Sequence, residues 1–319
     1  MLSSFIQYKY SAMGAVYLGS MLVTGGSGFI GRNLCKSALH WGFDVAVITR
    51  DKKMARKILP TPVTLYSCLD EIAEGTQYDS LVNLAGESLA SGRWTEIRKQ
   101  KFYDSRIGFT DRLVNSFSKH LPPPKQVLSA SAVGFYGHSS EALDENSGSS
   151  GGFSHYLCSS WEKSAKAFEA LGSRVSFLRI GIVLGDGGAL ANMLPAFRLG
   201  LGGPFGHGGQ YMSWIHLDDV IRAIHHCLKN EDVSGAINLS APNPVTNKEF
   251  SQALGKVLGR PSAFALPSWA ARFIFGELAD ELLLGGQRVF PSVLLDRGFK
   301  FSFNSLEVAL ASLLDKDIG

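Results

Sequence analysis

From residue 20 onward, short apolar runs alternate with longer amphipathic stretches. Residues 20–24 read as a strand, followed by a glycine turn and a helical stretch over about 29–41. Residues 44–49, 79–85, 125–131 and 173–180 read as further strands, with helices expected over about 106–120 and 159–171. A last short strand is expected at 236–239, entered from a helix after Asp218. Strands without polar alternation suit a sheet covered on both faces, and helices of about ten to fifteen residues between them make that sheet parallel. The predicted fold is α/β, a doubly wound parallel sheet of Rossmann type with a smaller C-terminal substrate domain.

Thr24-Gly-Gly-Ser-Gly-Phe-Ile-Gly31 falls where the first strand ends and the first helix begins. Glycines at 25, 28 and 31 let the chain turn tightly, approach a pyrophosphate and pack the helix against the sheet. The helix N-terminus adds attraction for phosphate charge. Gly25, Gly26, Gly28, Phe29, Ile30 and Gly31 are therefore candidate dinucleotide ligands, the competing explanation being a structural turn. A site for NAD places a carboxylate at the end of the second strand to hold the ribose hydroxyls. Here that strand ends Ile48-Thr49-Arg50, and Asp51 lies beyond it. A guanidinium at Arg50, assisted by Arg32, suits a 2′-phosphate, so NADP(H) is the expected cofactor, against two solvated arginines.

Composition narrows the class. The 319 residues are 45% hydrophobic and 18% charged, as in a folded chain of roughly two domains. A net charge of +3 gives no general affinity for nucleic acid or an acidic membrane. The four cysteines are far apart, without a C-x-x-C pair, as expected of free thiols in a reducing cytoplasm. No uninterrupted apolar run reaches the about 18 residues of a spanning helix. Residues 1–20 carry one charge, Lys9, and make a poor targeting signal. They read as a disordered extension, with Met21 close to the true start.

Beyond the glycine turn, the chain resembles the extended short-chain dehydrogenase/reductase superfamily. Within it, the chain is similar to the NAD(P)-dependent sugar-nucleotide-epimerase-like branch, whose members also carry the description "cell-division inhibitor". The residues carrying the match are 24–31, Val82-Asn-Leu-Ala-Gly-Glu-Ser88 with Arg93-Trp94, and Ser105-Arg106. They continue through 129–137, Trp161-Glu162, 200–204, Trp214-Ile-His-Leu-Asp218 and a C-terminal block over about 242–314. The resemblance implies that Asn83, Ala85 and Gly86 line the cofactor cleft and that Ser131 faces the reacting carbonyl or hydroxyl. It also implies a Tyr-x-x-x-Lys pair, whose lysine depresses the phenol pKa so that the tyrosine exchanges a proton near neutral pH.

That pair is absent: Ser140 follows Tyr136 by four residues and Ser160 follows Tyr156 by four. Lys163 lies a further turn away, about 10.5 Å along the axis from Tyr156. Three candidates for proton transfer remain, Tyr136 with Ser131, Tyr156, or Glu162, against plain packing for the two tyrosines and a solvated helix position for Glu162. Residues 92–106 hold five basic and two acidic side chains, at the loop edge where doubly wound sheets bind ligands. Arg93 and Arg106 are the preferred pair for an anionic substrate such as a nucleotide sugar, against a solvated helix at 95–103. Arg179, where the chain leaves the sheet, completes the substrate candidates. Six glycines in 200–209, with Pro204 and His207, read as a wall over the cleft or a plain connector. Asp218 reads as a helix cap, and His225, His226 and Cys227, adjacent on one helix, diverge too far for a metal site.

Past Ser240 the texture changes, with Thr246 as the N-cap of a helix ending near Gly259. The expected division is an NADP-binding domain over 21–184 plus 212–242 and a substrate domain over 185–211 plus 243–319. The expected partner is a small molecule rather than nucleic acid or membrane, and a homo-oligomer is compatible with the sequence. Two functions remain open: an epimerase-like oxidoreductase, or a non-catalytic NADP(H)-binding sensor. The glycine wall and basic loop favour the first, the missing pair the second.

Overall fold

The computed structural model describes residues 18–90 and 92–314. Seven strands form one parallel sheet: β1 (Gly19–Thr24), β2 (Phe43–Ile48), β3 (Thr64–Tyr66), β4 (Ser80–Asn83), β5 (Gln126–Ala132), β7 (Arg174–Ile180) and β11 (Gly235–Leu239). Between and after them come the short strands β6 (Ser139–Leu143), β8 (Ile182–Leu184), β9 (Tyr211–Met212), β10 (Trp214–His216), β12 (Val245–Thr246) and β13 (Gln287–Val289). The helices are α1 (Phe29–His40), α2 (Lys52–Ile58), α3 (Glu96–Tyr103), α4 (Phe109–Lys119), α5 (Phe153–Lys166) and α6 (Gly188–Arg198). They continue as α7 (Leu217–Lys229), α8 (Asn247–Val257), α9 (Ser268–Phe275), α10 (Ser292–Asp296) and α11 (Leu306–Leu314).

Strand order is β3-β2-β1-β4-β5-β7-β11, so the chain reverses direction across the sheet between β1 and β4. Ligands of doubly wound sheets bind at that reversal, outside the carboxyl ends of the strands. Alternate residues of each strand feed two cores. Met21, Val23, Val47 and Val82 pack on one face with α1 and α7, while Leu22, Ala46, Leu81 and Val127 pack on the other with α4. A third cluster, built on Trp214, Phe250, Leu254 and Leu310, joins β10 to α8 and α11. The C-terminal segment is also bonded to the nucleotide-binding part, because β13 pairs in parallel with β6.

Several boundaries differ from the expected ones for identifiable reasons. Gly19 and Ser20 belong to β1, held by Asp79, whose carboxylate accepts from the Ser20 backbone at 2.8 Å and hydroxyl at 3.0 Å. The extension expected at 1–20 therefore stops short of them, and 1–17 lie outside the described residues. The helix expected at 159–171 begins at Phe153 and tightens into a 3₁₀ turn over Ala167–Leu171. The helix expected from 106 is preceded by α3, and a π turn over Asp104–Gly108 links α3 to α4. Thr246 does form a reciprocal capping box with Glu249. Asp218, by contrast, is not the cap of α7: the His216 ring accepts from the Asp218 backbone at 3.1 Å, and Asp218 sits exposed in the first turn.

Candidate functional site

The glycine turn sits at the carboxyl end of β1 with its backbone in contact with the loop after β4. Gly25 has φ +67°, and a Cβ there would lie 2.4 Å from the Leu84 carbonyl. A Cβ on Gly31 would lie 2.2 Å from the Gly25 carbonyl, so the turn closes only without side chains at these two positions. Gly28 is the N-cap of α1, which has no side-chain cap and no acidic residue in its first turn. Its N-terminus therefore presents unsatisfied N–H groups and a positive dipole end, the arrangement that receives a phosphate. Phe29 packs its ring against Gly185, Gly187 and Gly188, which ties the turn to the segment leading into α6.

At the end of β2, Arg50 is exposed and Arg32 pairs with the exposed Asp186 at 3.3 Å. The carboxylate of Asp51 accepts from the Met54 backbone at 2.9 Å as the N-cap of α2. The nearest acid to the strand end is thus engaged locally, leaving a guanidinium as the charged group there. Asn83, expected to line the cofactor cleft, makes its side-chain hydrogen bonds within the sheet and to α4. Its side chain is buried, accepting from Thr24 Oγ1 at 2.6 Å and donating to Thr110 and Ser129. It holds β1, β4, β5 and α4 in register, while Ala85 and Gly86 continue from the strand end.

Ser131, at the carboxyl end of β5, donates to Glu162 Oε1 at 2.7 Å. Glu162 is gripped by Arg179 through Nε at 2.9 Å and Nη2 at 3.0 Å, a bidentate buried pair. Arg179 Nη1 donates to the Tyr136 hydroxyl at 2.9 Å, which in turn donates to Asn238 at 2.7 Å. Burial pushes the Tyr136 phenol above its ordinary pKa, although Arg179 pulls the other way. Burial also opposes charge on Arg179, but its bonds to Glu162 and Tyr136 raise its pKa. Three residues expected to meet substrate or proton, Tyr136, Arg179 and Glu162, are therefore joined to one another inside the protein. Their hydrogen bonds link them to one another and, through Glu162, to Ser131.

The other candidates are more open. Tyr156 is 60% exposed on α5. Arg93 donates to the Phe273 carbonyl of α9 at 2.7 Å, bridging the basic loop to the C-terminal segment. Arg106 is buried in the π turn, donates to the Glu87 carbonyl at 2.9 Å and lies over the Trp161 ring. Burial lowers its pKa to about 10. The glycine wall holds one side of a cavity of about 310 Å³, with His207 and Gln210 facing His138 and Gly286. His225 and His226 diverge as expected, onto Trp41 and Phe299 respectively.

Two groups escaped the sequence reading. Cys158 is buried beside Ser131, and burial pushes its thiol up to about 11. Glu281, from the C-terminal segment, caps α5 by accepting from the backbones of Phe153 and Ser154 and from the Ser154 hydroxyl at 2.7 Å. Ser154, Cys158 and Glu162 are spaced by four along α5, so a search for i, i+4 polar faces would have found the first two. Nothing local announces Glu281.

A Rossmann sheet with a glycine turn at its topological switch fits the protein family model that matches residues 21–240, "NAD dependent epimerase/dehydratase family". The chain belongs to this family. A second model, "Domain of unknown function (DUF1731)", matches residues 266–313. The chain is 43% identical to "Epimerase family protein Mb2239" of Mycobacterium bovis over 237 residues, 74% of this chain and 78% of that one. The crystal structure of human epimerase family protein SDR39U1 (isoform 2) with NADPH superposes with a TM-score of 0.83 at 34% identity, covering 93% of this chain and 99% of that one. A nucleoside-diphosphate sugar epimerase from Corynebacterium glutamicum gives 0.72 at 28% identity, covering 98% of this chain and 61% of that one. As an epimerase-family member, the chain carries both the nucleotide-binding turn and the second matched segment, whose Glu281 and β13 reach back to α5 and β6.

Proposed function

We propose that this chain binds NADP(H) at Gly25–Gly31, Ala85, Gly86 and Arg50, and acts as an epimerase-like oxidoreductase on a small anionic substrate such as a nucleotide sugar. The observation that carries the cofactor is the uncapped N-terminus of α1 behind three glycines, with a guanidinium and no free carboxylate at the end of β2. NADPH in the related human protein and a nucleotide-sugar epimerase among the structural neighbours support the same reading. Arg93 and Arg106 supply positive charge for the substrate. Ser131, held by Glu162, is the polar residue nearest the reacting group, and Cys158 and Tyr156 are the remaining groups on α5 that could exchange a proton. The division into an NADP-binding part (21–184, 212–242) and a substrate part (185–211, 243–319) belongs to this reading.

Arg50→Ala is expected to weaken NADPH binding about 10- to 100-fold while leaving NADH nearly unchanged, since one charge-assisted contact to a 2′-phosphate is lost. Fluorescence titration with both nucleotides measures it, and equal losses for the two would remove Arg50 from the 2′-phosphate. The activity is tested with NADPH deuterated at the transferable position, incubated with the protein and a metabolite extract and followed by mass spectrometry. Label in one metabolite establishes hydride transfer and names the substrate. Tight NADPH binding with all label retained favours the sensor reading, which the missing Tyr-x-x-x-Lys pair already supports.

A further inference from the structure

Among the described residues two arginines are buried, Arg106 and Arg179, and only Arg179 has a counter-ion. Glu162 neutralises Arg179 with two hydrogen bonds. Arg106 has only the Glu87 carbonyl at 2.9 Å and a long contact to the Ser105 hydroxyl at 3.4 Å, and no carboxylate of the described residues pairs with it. Glu87 acts on it only at longer range. A buried cation left this way is costly, and such groups are normally paired.

The surroundings define what would pair it. The π turn over Asp104–Gly108 delivers the side chain toward the carboxyl edge of the sheet. The guanidinium carbon lies 5.1 Å from the centre of the Trp161 ring, and a Cβ on Gly86 would come within 3.1 Å of it. The cation is therefore flanked by an indole and by a bare glycine. The Trp161 indole nitrogen is itself buried without a partner, a second unmatched donor. Cys158, which neighbours Arg106 electrostatically, also touches Ser131, so the unpaired charge lies next to the proposed reacting centre. A carboxylate is planar and singly charged, so it matches the flat guanidinium through two parallel hydrogen bonds. One negative charge also balances one arginine without crowding Glu87 and Glu162.

We infer that the substrate carries a carboxylate close to its reacting carbon, as in a 2-oxo acid, a 2-hydroxy acid or a uronate, and that Arg106 with the Trp161 N–H receives it. This rests on the oxidoreductase reading of Ser131 and narrows it: the anion read here is not the diphosphate of a nucleotide.

The test uses full-length protein loaded with NADPH and titrated calorimetrically at low salt with oxamate, a planar, redox-inert 2-oxo-acid mimic. Its neutral analogue oxamide and inorganic phosphate serve as comparisons. Oxamate is expected to bind, oxamide and phosphate much more weakly, and Arg106→Gln to lose tenfold or more in oxamate affinity with NADPH affinity held within about twofold. Arg106→Lys should recover only part of the loss, because an ammonium lacks the two-pronged match. Should Arg106→Gln fail to fold, Trp161→Phe probes the same site by removing the indole N–H while keeping an aromatic ring beside the guanidinium, with oxamate affinity expected to fall and NADPH affinity to hold. Failure of the wild-type complex to bind oxamate, preference for phosphate, or full oxamate affinity in both variants would overturn the inference. Failure of the wild type to bind NADPH would instead overturn the underlying reading, and the oxamate titration of unloaded protein would then report on Arg106 separately.

Discussion

Gly31→Val is expected to weaken NADPH binding by about 100-fold or more. Even the first added carbon lands 2.2 Å from the Gly25 carbonyl and 2.7 Å from Gly26 Cα, both backbone atoms of the turn itself. Relief requires the turn to move away from α1. Such a shift withdraws the N–H groups of the helix N-terminus from the position a pyrophosphate would occupy. Fluorescence titration of NADPH measures the loss. Gly148→Ala is the matched control, because a Cβ there meets nothing within 4 Å and its φ is not positive. A Gly31→Val protein that folds and binds NADPH within a few-fold of wild type would show that the cofactor lies elsewhere.

The second large effect is on stability. Glu162→Gln leaves Arg179 buried with no charge to balance it, and Arg179→Met leaves Glu162 equally exposed to the cost of burial. Each is expected to destabilise by about 3–5 kcal/mol, measured by urea unfolding of the cofactor-free protein. The double variant Glu162→Leu/Arg179→Met should lose far less than the sum, because removing both charges removes the desolvation penalty with them. Single variants that each cost below about 1 kcal/mol would mean that the pair is not a frame beneath Ser131.

How legible the molecule was from its sequence depended on range. β1, the glycine turn and α1 are contiguous, and their signals, an apolar run, three spaced glycines and an amphipathic period, are local. The reading at the end of β2 was equally local, since Arg50 and Asp51 are neighbours and the cap of α2 lies three residues on. Pairings across the sheet were not legible. That Asn83 meets Thr24, Thr110 and Ser129 follows from strand register. Arg179 looked available because its partner Glu162 looked like a solvated helix residue; only the packing of α5 against β7 brings them together. The basic run at 92–106 was visible as charge, yet which arginine is buried depended on a π turn that no composition announces. His216 displaced Asp218 as the cap of α7 for a similar reason: a ring nitrogen two residues earlier reached the backbone first.

The cap on α5 has a consequence for the order in which the protein can be finished during synthesis. Glu281 and Ser154 are 127 residues apart, and β6 likewise waits for β13. At about 5–20 residues per second, roughly 6–25 s pass between the emergence of α5 and that of the carboxylate that satisfies its first turn. During that interval the growing chain already holds every strand of the main sheet up to β7, and β11 joins before Glu281 arrives. A nascent chain can therefore close its nucleotide turn while the helix beside Ser131 still has an open end. The family match ends at residue 240, before the residues that complete the first turn of α5 and the pairing of β6 have been made.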